Sequence, residues 1–267
     1  MDSVRGLCPQ VLSVGAGRVI SEVVLDDMMR SGGYTQIMLE GLKKSVCQAN
    51  LDLVARGLVI GTWGNVSGVD RKSNCLVIKP SGLPYADMKP RHMVVVRLSA
   101  GEVAEGDLKP SSDTPTHLAL YRAFKDIGGI VHTHSLYATV WAQAQKEIPV
   151  LGTTHADHFY GPVPCTRPLR PREVRDDYEA NTGKVIVERL ARLNPLDMPA
   201  VLVAQHGPFA WGPSVPEAVA NAVILERVAC MASETLRIRQ SLKPLGQGLI
   251  DKHFLRKHGP GAYYGQT

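Results

Sequence analysis

Apolar residues follow two rhythms along this chain. From Leu39 onward, Leu42, Val46, Ala49, Leu53 and Val54 recur at helical spacing, which makes one buried stripe. The runs 58–62, 75–78 and 93–98 are short, rich in β-branched residues and continuous, and they predict strands. Ser112, with Pro115 soon after it, marks a helix start, and the helix is expected to reach about Phe124. Residues 129–134 predict a strand, 136–145 a helix and 172–194 a mostly helical stretch. Short strands are expected at 200–204 and 209–211, around the turn His206-Gly207-Pro208. A long amphipathic helix covers 215–240, and a last helix covers 247–258. Strands and helices interleave with no linker, repeat or low-complexity segment. Residues 38–267 therefore read as one α/β domain, and the alternation alone suggests a parallel sheet.

Residues 1–37 do not share this patterning. They are expected to be a poorly ordered extension, or the product of a start site placed upstream of Met38. The alternative is an extra helix around residues 19–29.

Composition narrows the class. The 267 residues are 44% hydrophobic and 21% charged, which is enough to fill a core and cover it. Disorder, collagen-like repeats and coiled coil are excluded on that basis. No run approaches the roughly 18–20 uncharged apolar residues of a membrane span, and no signal peptide is read at the start. The net charge of +5 is modest and does not call for nucleic acid. Its excess is local: Arg237, Arg239, Lys243, Lys252, Arg256 and Lys257 face one acid, Asp251, between positions 237 and 258. That stretch is either a solvated helical face or a field for a small anion such as a sugar phosphate. The five cysteines are odd in number and contain no C-x-x-C pair. They form neither a disulfide framework nor a thiolate zinc site, and a reducing, cytoplasmic setting is expected.

Three constellations carry candidate chemistry. His132-Thr133-His134 lies on an expected strand, where side chains two apart share a face and two imidazoles can meet one cation. His206 ends another apolar strand, and His155-Ala156-Asp157-His158 offers further donors; imidazoles with one carboxylate suit a divalent ion, zinc first. Each of these is also compatible with a hydrogen-bonded structural histidine. In Lys109–His117, Ser111 and Ser112 stand at a helix start, either as an anion site or as ordinary caps by Ser112 or Asp113. Asp113 also has the chemistry of a metal ligand. Gly61-Thr62-Trp63-Gly64-Asn65-Val66-Ser67 and Lys79-Pro80-Ser81-Gly82 are glycine turns after strands. They are either plain turns or phosphate cradles, with Lys79 supplying a point charge. No P-loop or G-x-G-x-x-G is present, so no nucleotide cofactor is indicated.

Taken together and in order, Gly64-Asn65-Val66-Ser67, Lys79-Pro80-Ser81-Gly82, Pro110-Ser111-Ser112-Asp113, His132-Thr133-His134 and His206-Gly207 resemble the class II aldolase family. The resemblance extends from about Met38 to Gln266. Within the family it favours the epimerases, through Thr154-His155-Ala156-Asp157 and the ending that contains Asp251–Gly259 and Tyr263-Tyr264-Gly265-Gln266. The resemblance implies a three-layer α/β/α domain around a mainly antiparallel sheet, against the parallel sheet suggested by the alternation. It also implies a homotetramer with sites at subunit boundaries and one zinc ion per subunit, with manganese as the alternative.

Roles follow from the matched positions. His132, His134 and His206 correspond to metal ligands, with Asp113 on or beside the metal. Asn65, Lys79, Ser81, Gly82, Ser111 and Ser112 correspond to a phosphate cradle. Asp157 and Tyr264 correspond to paired acid–base residues, and Thr153, Glu179, His253 and Arg256 to supporting ones. The implied activity is epimerisation of L-ribulose 5-phosphate at C4 by reversible aldol cleavage, serving pentose breakdown of the L-arabinose or L-ascorbate type. The physics is consistent: the C4 hydrogen is not acidic, so inversion needs C3–C4 cleavage, with the developing charge stabilised by a Lewis acid. The alternatives are an aldolase that releases its aldehyde, such as a fuculose-phosphate aldolase, and a non-catalytic interaction domain. No nucleic-acid or membrane partner is expected.

Overall fold

The computed structural model describes residues 12–14, 18–20, 33–258 and 260–264. The expectations for order, start site and a helix within residues 1–37 lie largely outside these. Two compact units are distinguished, residues 1–41 and 42–267. In the first, β1 (Leu12–Val14) and β2 (Arg18–Ile20) pair as a small antiparallel ribbon. Helix α1 (Gly33–Ala55) runs from the first unit into the second.

The second unit is built on a seven-stranded sheet. Its strands are β3 (Asn65–Asp70), β4 (Cys75–Ile78), β5 (Val94–Arg97), β6 (Val103–Glu105), β7 (Gly129–His132), β8 (Ala200–Leu202) and β9 (Pro208–Gly212). The spatial order is β6-β5-β4-β3-β7-β9-β8, and every neighbouring pair is antiparallel. The parallel sheet suggested by alternation is therefore wrong. Intervening helices here return the chain to the sheet for antiparallel pairing, which needs no right-handed parallel crossover. The expected strand at 58–62 is also absent: the chain is irregular there, and pairing begins only at Asn65. An apolar run without a pairing partner has no ladder to join.

The helices are α2 (Thr114–Ala123), α3 (Leu136–Gln143), α4 (Thr153–Ala156), α5 (Pro171–Arg175), α6 (Tyr178–Leu190), α7 (Val215–Ile238) and α8 (Gln247–His258). Strands β3, β4, β7, β8 and β9 are buried nearly throughout, as expected for a sheet covered on both faces. Register places Asn65 opposite His132 and His132 opposite Phe209, so these three share one face. Helix α2 covers that face: Ser67 Oγ lies 2.7 Å from His117 Nδ1 and 2.9 Å from Tyr121 Oη. Helix α6 packs on α2. The other face carries α7 over β3, β7 and β9, with α3 against α7. Asn50 of α1 is fully buried; it accepts from the Val66 N–H and donates to the Val66 carbonyl, where the β3–β4 ladder has not yet begun. The architecture is thus α/β/α with an antiparallel sheet.

Candidate active site

The site lies at the end of β3 and β7, under the start of α2. Lys79 leaves β4 and is clamped to the segment before α2: Ser81 N–H donates to Lys109 O at 2.9 Å and Ser111 N–H to Lys79 O at 3.0 Å. Two stretches some thirty positions apart are thereby joined along one edge of a cavity of about 550 Å³. Thr62, Trp63, Asn65, Lys79, Ser81, Gly82, Ser111 and Ser112 line it together with Asp113, His132, His134, Tyr178, Glu179 and His206. Every residue that the family resemblance matches to metal or phosphate is therefore in one place, while the further donors His155, Asp157 and His158 lie outside it. Lys79 is 2% exposed, and its ammonium sits over the Tyr85 ring at 5.0 Å. Burial lowers its pKa, and the Asp113 carboxylate pulls against that shift. Gly64 has φ +81, and a Cβ there would lie 2.9 Å from the His132 carbonyl, so the turn before β3 needs glycine to lie this close to β7.

His132 is the last residue of β7. Its Nδ1 donates to the Pro208 carbonyl at 2.9 Å, which leaves Nε2 directed at the site. Its ring stacks on Phe209, with centroids 4.2 Å apart and planes 17° apart. His134 lies beyond the strand, so the expectation that both histidines project from it is corrected. The strand ends at His132, yet the two rings still converge, with centroids 5.0 Å apart. His206 joins them from the turn after β8. One nitrogen from each of the three lies within 4.8 Å of the others. His134 is exposed, which opens the cluster to a ligand. Burial, then His132 and His134, pushes the His206 imidazole down to about 3; burial first also lowers His134. Neutral imidazoles are the form that binds cations.

Asp113 completes the group. It occupies the cap position of α2, but its carboxylate makes no capping bond. It accepts from Asn65 Nδ2 at 2.6 Å and lies 4.0 Å from His132 Nε2. The capping reading of Asp113 is thus set aside, because the side chain faces the cavity. Burial would raise its pKa, but the histidines and the Asn65 hydrogen bond outweigh that and hold it below the usual carboxylate range. Three imidazoles with an adjacent carboxylate fit one divalent cation in chemistry and in spacing.

A second cluster forms around Asp157. His253 Nδ1 lies 3.0 Å from Asp157 Oδ1, Arg256 Nη2 lies 2.9 and 3.0 Å from the two carboxylate oxygens, and Lys257 Nζ lies 3.3 Å from Oδ2. Burial opposes ionisation here, but the donors from His253, Arg256 and Lys257 prevail and lower the pKa. Tyr264 is exposed, and the Arg256 and Lys257 cations lie over its ring at 4.9 and 4.6 Å. Thr153 opens α4 and accepts the Asp157 N–H at 2.8 Å. The structure therefore groups Asp157, Tyr264, His253, Arg256 and Thr153, but none of them lines the cavity that holds the histidines. Glu179 does line it.

Sequence reasoning missed Tyr178, His117 and the cavity role of Trp63. Tyr178 adjoins Glu179, which was the available signal. His117 is fully buried, with its imidazole pushed down to about 3 by burial. It belongs to the run from Lys109 that was singled out for its serines.

The chain belongs to the class II aldolase and adducin N-terminal domain family, whose profile matches residues 44–233. A relative of known name is L-ribulose-5-phosphate 4-epimerase UlaF of Salmonella paratyphi C (strain RKS4594), 55% identical over 228 residues, which is 85% of this chain and all of that one. Among solved structures, an L-fuculose 1-phosphate aldolase matches with TM-score 0.68 and 26% identity, over 80% of this chain and 94% of that one. YgbL from Escherichia coli matches with TM-score 0.66 and 28% identity, over 80% and 98%. No helix among the described residues is long and apolar enough to cross a membrane.

Proposed function

We propose that this chain is a zinc-dependent L-ribulose-5-phosphate 4-epimerase that interconverts L-ribulose 5-phosphate and D-xylulose 5-phosphate. The observation that carries the reading is the placement of the histidine cluster and Asp113 in the same cavity as Lys79, Ser81, Ser111 and Ser112. That cavity matches a phosphorylated substrate whose carbonyl end must reach a cation. The 55% identical relative bears the same activity in its name.

His132, His134 and His206, with Asp113 beside them, would hold the cation. When bound, it supplies a Lewis acid for the negative charge that develops on the substrate oxygens. Asn65, Lys79, Ser81, Gly82, Ser111 and Ser112 hold the phosphate. A base takes the C4 hydroxyl proton, the C3–C4 pair moves into the enediolate and glycolaldehyde phosphate is released from the bond but kept by its phosphate. The aldehyde turns its other face, C3 re-adds, and an acid returns a proton to the new C4 oxygen. Asp157, ionised by its cationic neighbours, and Tyr264 would serve the two sides of the aldehyde.

Since these two residues lie outside the cavity of their own chain, the reading includes a homotetramer in which a neighbour supplies Asp157, Tyr264, Thr153, His253 and Arg256. Residues 38–267 would form the catalytic domain, acting in the cytoplasm in pentose breakdown of the L-arabinose or L-ascorbate type. The test is product analysis on L-ribulose 5-phosphate with and without chelator. D-xylulose 5-phosphate formed only without chelator, and without free glycolaldehyde phosphate, is the expected result. Accumulating aldehyde would instead make the enzyme an aldolase.

A further inference from the structure

We infer that Tyr178 is a positioning residue for the metal centre, accepting the Nδ1 proton of His206 and so fixing which nitrogen faces the cation. The inference rests on the metal reading above. A neutral imidazole that gives one nitrogen to a cation carries its proton on the other, and the partner of that proton sets ring orientation and donor strength. For His132 the partner is the Pro208 carbonyl, supplied by the sheet itself. His206 has no such strand support. It sits on a turn after Gln205, whose φ of +64 is a left-handed conformation. Among the described residues, the partner of its Nδ1 is the Tyr178 hydroxyl at 3.3 Å, with ring centroids 6.0 Å apart and planes at 41°.

Tyr178 is itself held from elsewhere in the fold. It is the first residue of α6, directly after Asp177, whose φ of +56 turns the chain sharply between α5 and α6. Thr182 Oγ1 donates to the Tyr178 carbonyl at 2.9 Å. Thr116 Oγ1 donates to the Glu179 carbonyl at 2.6 Å, which ties the first turn of α6 to α2. Gly183 brings the two helices close: a Cβ there would lie 2.6 Å from Ala119 Cβ. The helix that begins at Asp113 thus also fixes the tyrosine that steadies His206.

Tyr178→Phe keeps the ring and removes the acceptor. Affinity for Zn2+ and Co2+ is measured by competition with a chromophoric chelator, beside the Tm of the metal-free protein. The expected result is an affinity weaker by about 10- to 100-fold with metal-free Tm unchanged. In the Co2+-loaded proteins, the shifted exchangeable N–H proton of His206 should exchange with water faster in the variant, while that of His132 stays slow. Equal affinity, or unchanged exchange at His206, overturns the role of Tyr178 and leaves the metal centre standing. Failure of the wild-type protein to bind either ion overturns the metal reading and this inference with it.

Discussion

His134 and Asp157 differ in how they are held, and their variants should fail differently. His134 is exposed, so His134→Ala removes a ligand without opening a cavity. It should lose bound metal and turnover while far-UV circular dichroism and Tm hold; full metal content in that variant would remove His134 from the centre. Asp157 is enclosed by His253, Arg256 and Lys257. Asp157→Asn is isosteric and should retain metal while turnover drops by about 10²- to 10⁴-fold, the usual range for a lost general base or acid. Near-normal turnover would assign the proton transfer elsewhere. At this scale the residues that come together in the cavity were legible because their chemistry is carried in short runs such as His132-Thr133-His134. Tyr178 was not, because its role depends on a contact with His206 across 28 positions.

Helices α2 and α6 decide much of the site between them. Gly183 lies inside α6, where alanine normally adds about 0.5–1 kcal/mol of helix stability. Here an added methyl meets Ala119 Cβ at 2.6 Å and the Thr116 backbone at 3.2 Å. Overpacking of that kind costs about 1–3 kcal/mol, so the net effect of Gly183→Ala should be destabilising. A urea midpoint shifted downward checks it, and an upward shift would mean that the two helices separate without penalty. The expected helices match α2, α7 and α8 to within a few residues, with 247–258 matching α8 at both ends, whereas the single helical stretch expected at 172–194 is divided into α5 and α6 by the left-handed Asp177. The strand at 58–62 was misread because propensity cannot report whether a partner strand is present. His134 was misplaced for a related reason, since the ladder that ends at His132 is defined by its pairing with Asn65 and Phe209.

For the assembled molecule, the separation of the two residue clusters makes a direct prediction. If a neighbour completes each site, inactive His134→Ala and Asp157→Asn chains should restore activity when mixed and reassembled. Random assembly of equal amounts would leave about a quarter of all sites intact on average, because each site would draw one half from each of two subunits. Activity of the remixed sample near that fraction of wild type supports a shared site. No recovery, with mixed tetramers shown by mass spectrometry, would place Asp157 and the histidines in the same chain's site.

Residue chemistry, helix periodicity and the order of the motifs were all written along the chain, because each depends on neighbours a few positions apart. The antiparallel direction of the sheet and the union of Lys79 with Ser111 and His132 with His206 arose only on folding. So did the turning of Asp113 away from its cap and the segregation of Asp157 from the cavity. These depend on which distant segments pair, and pairing is settled by burial of both sheet faces and by ladder hydrogen bonds that no local window contains.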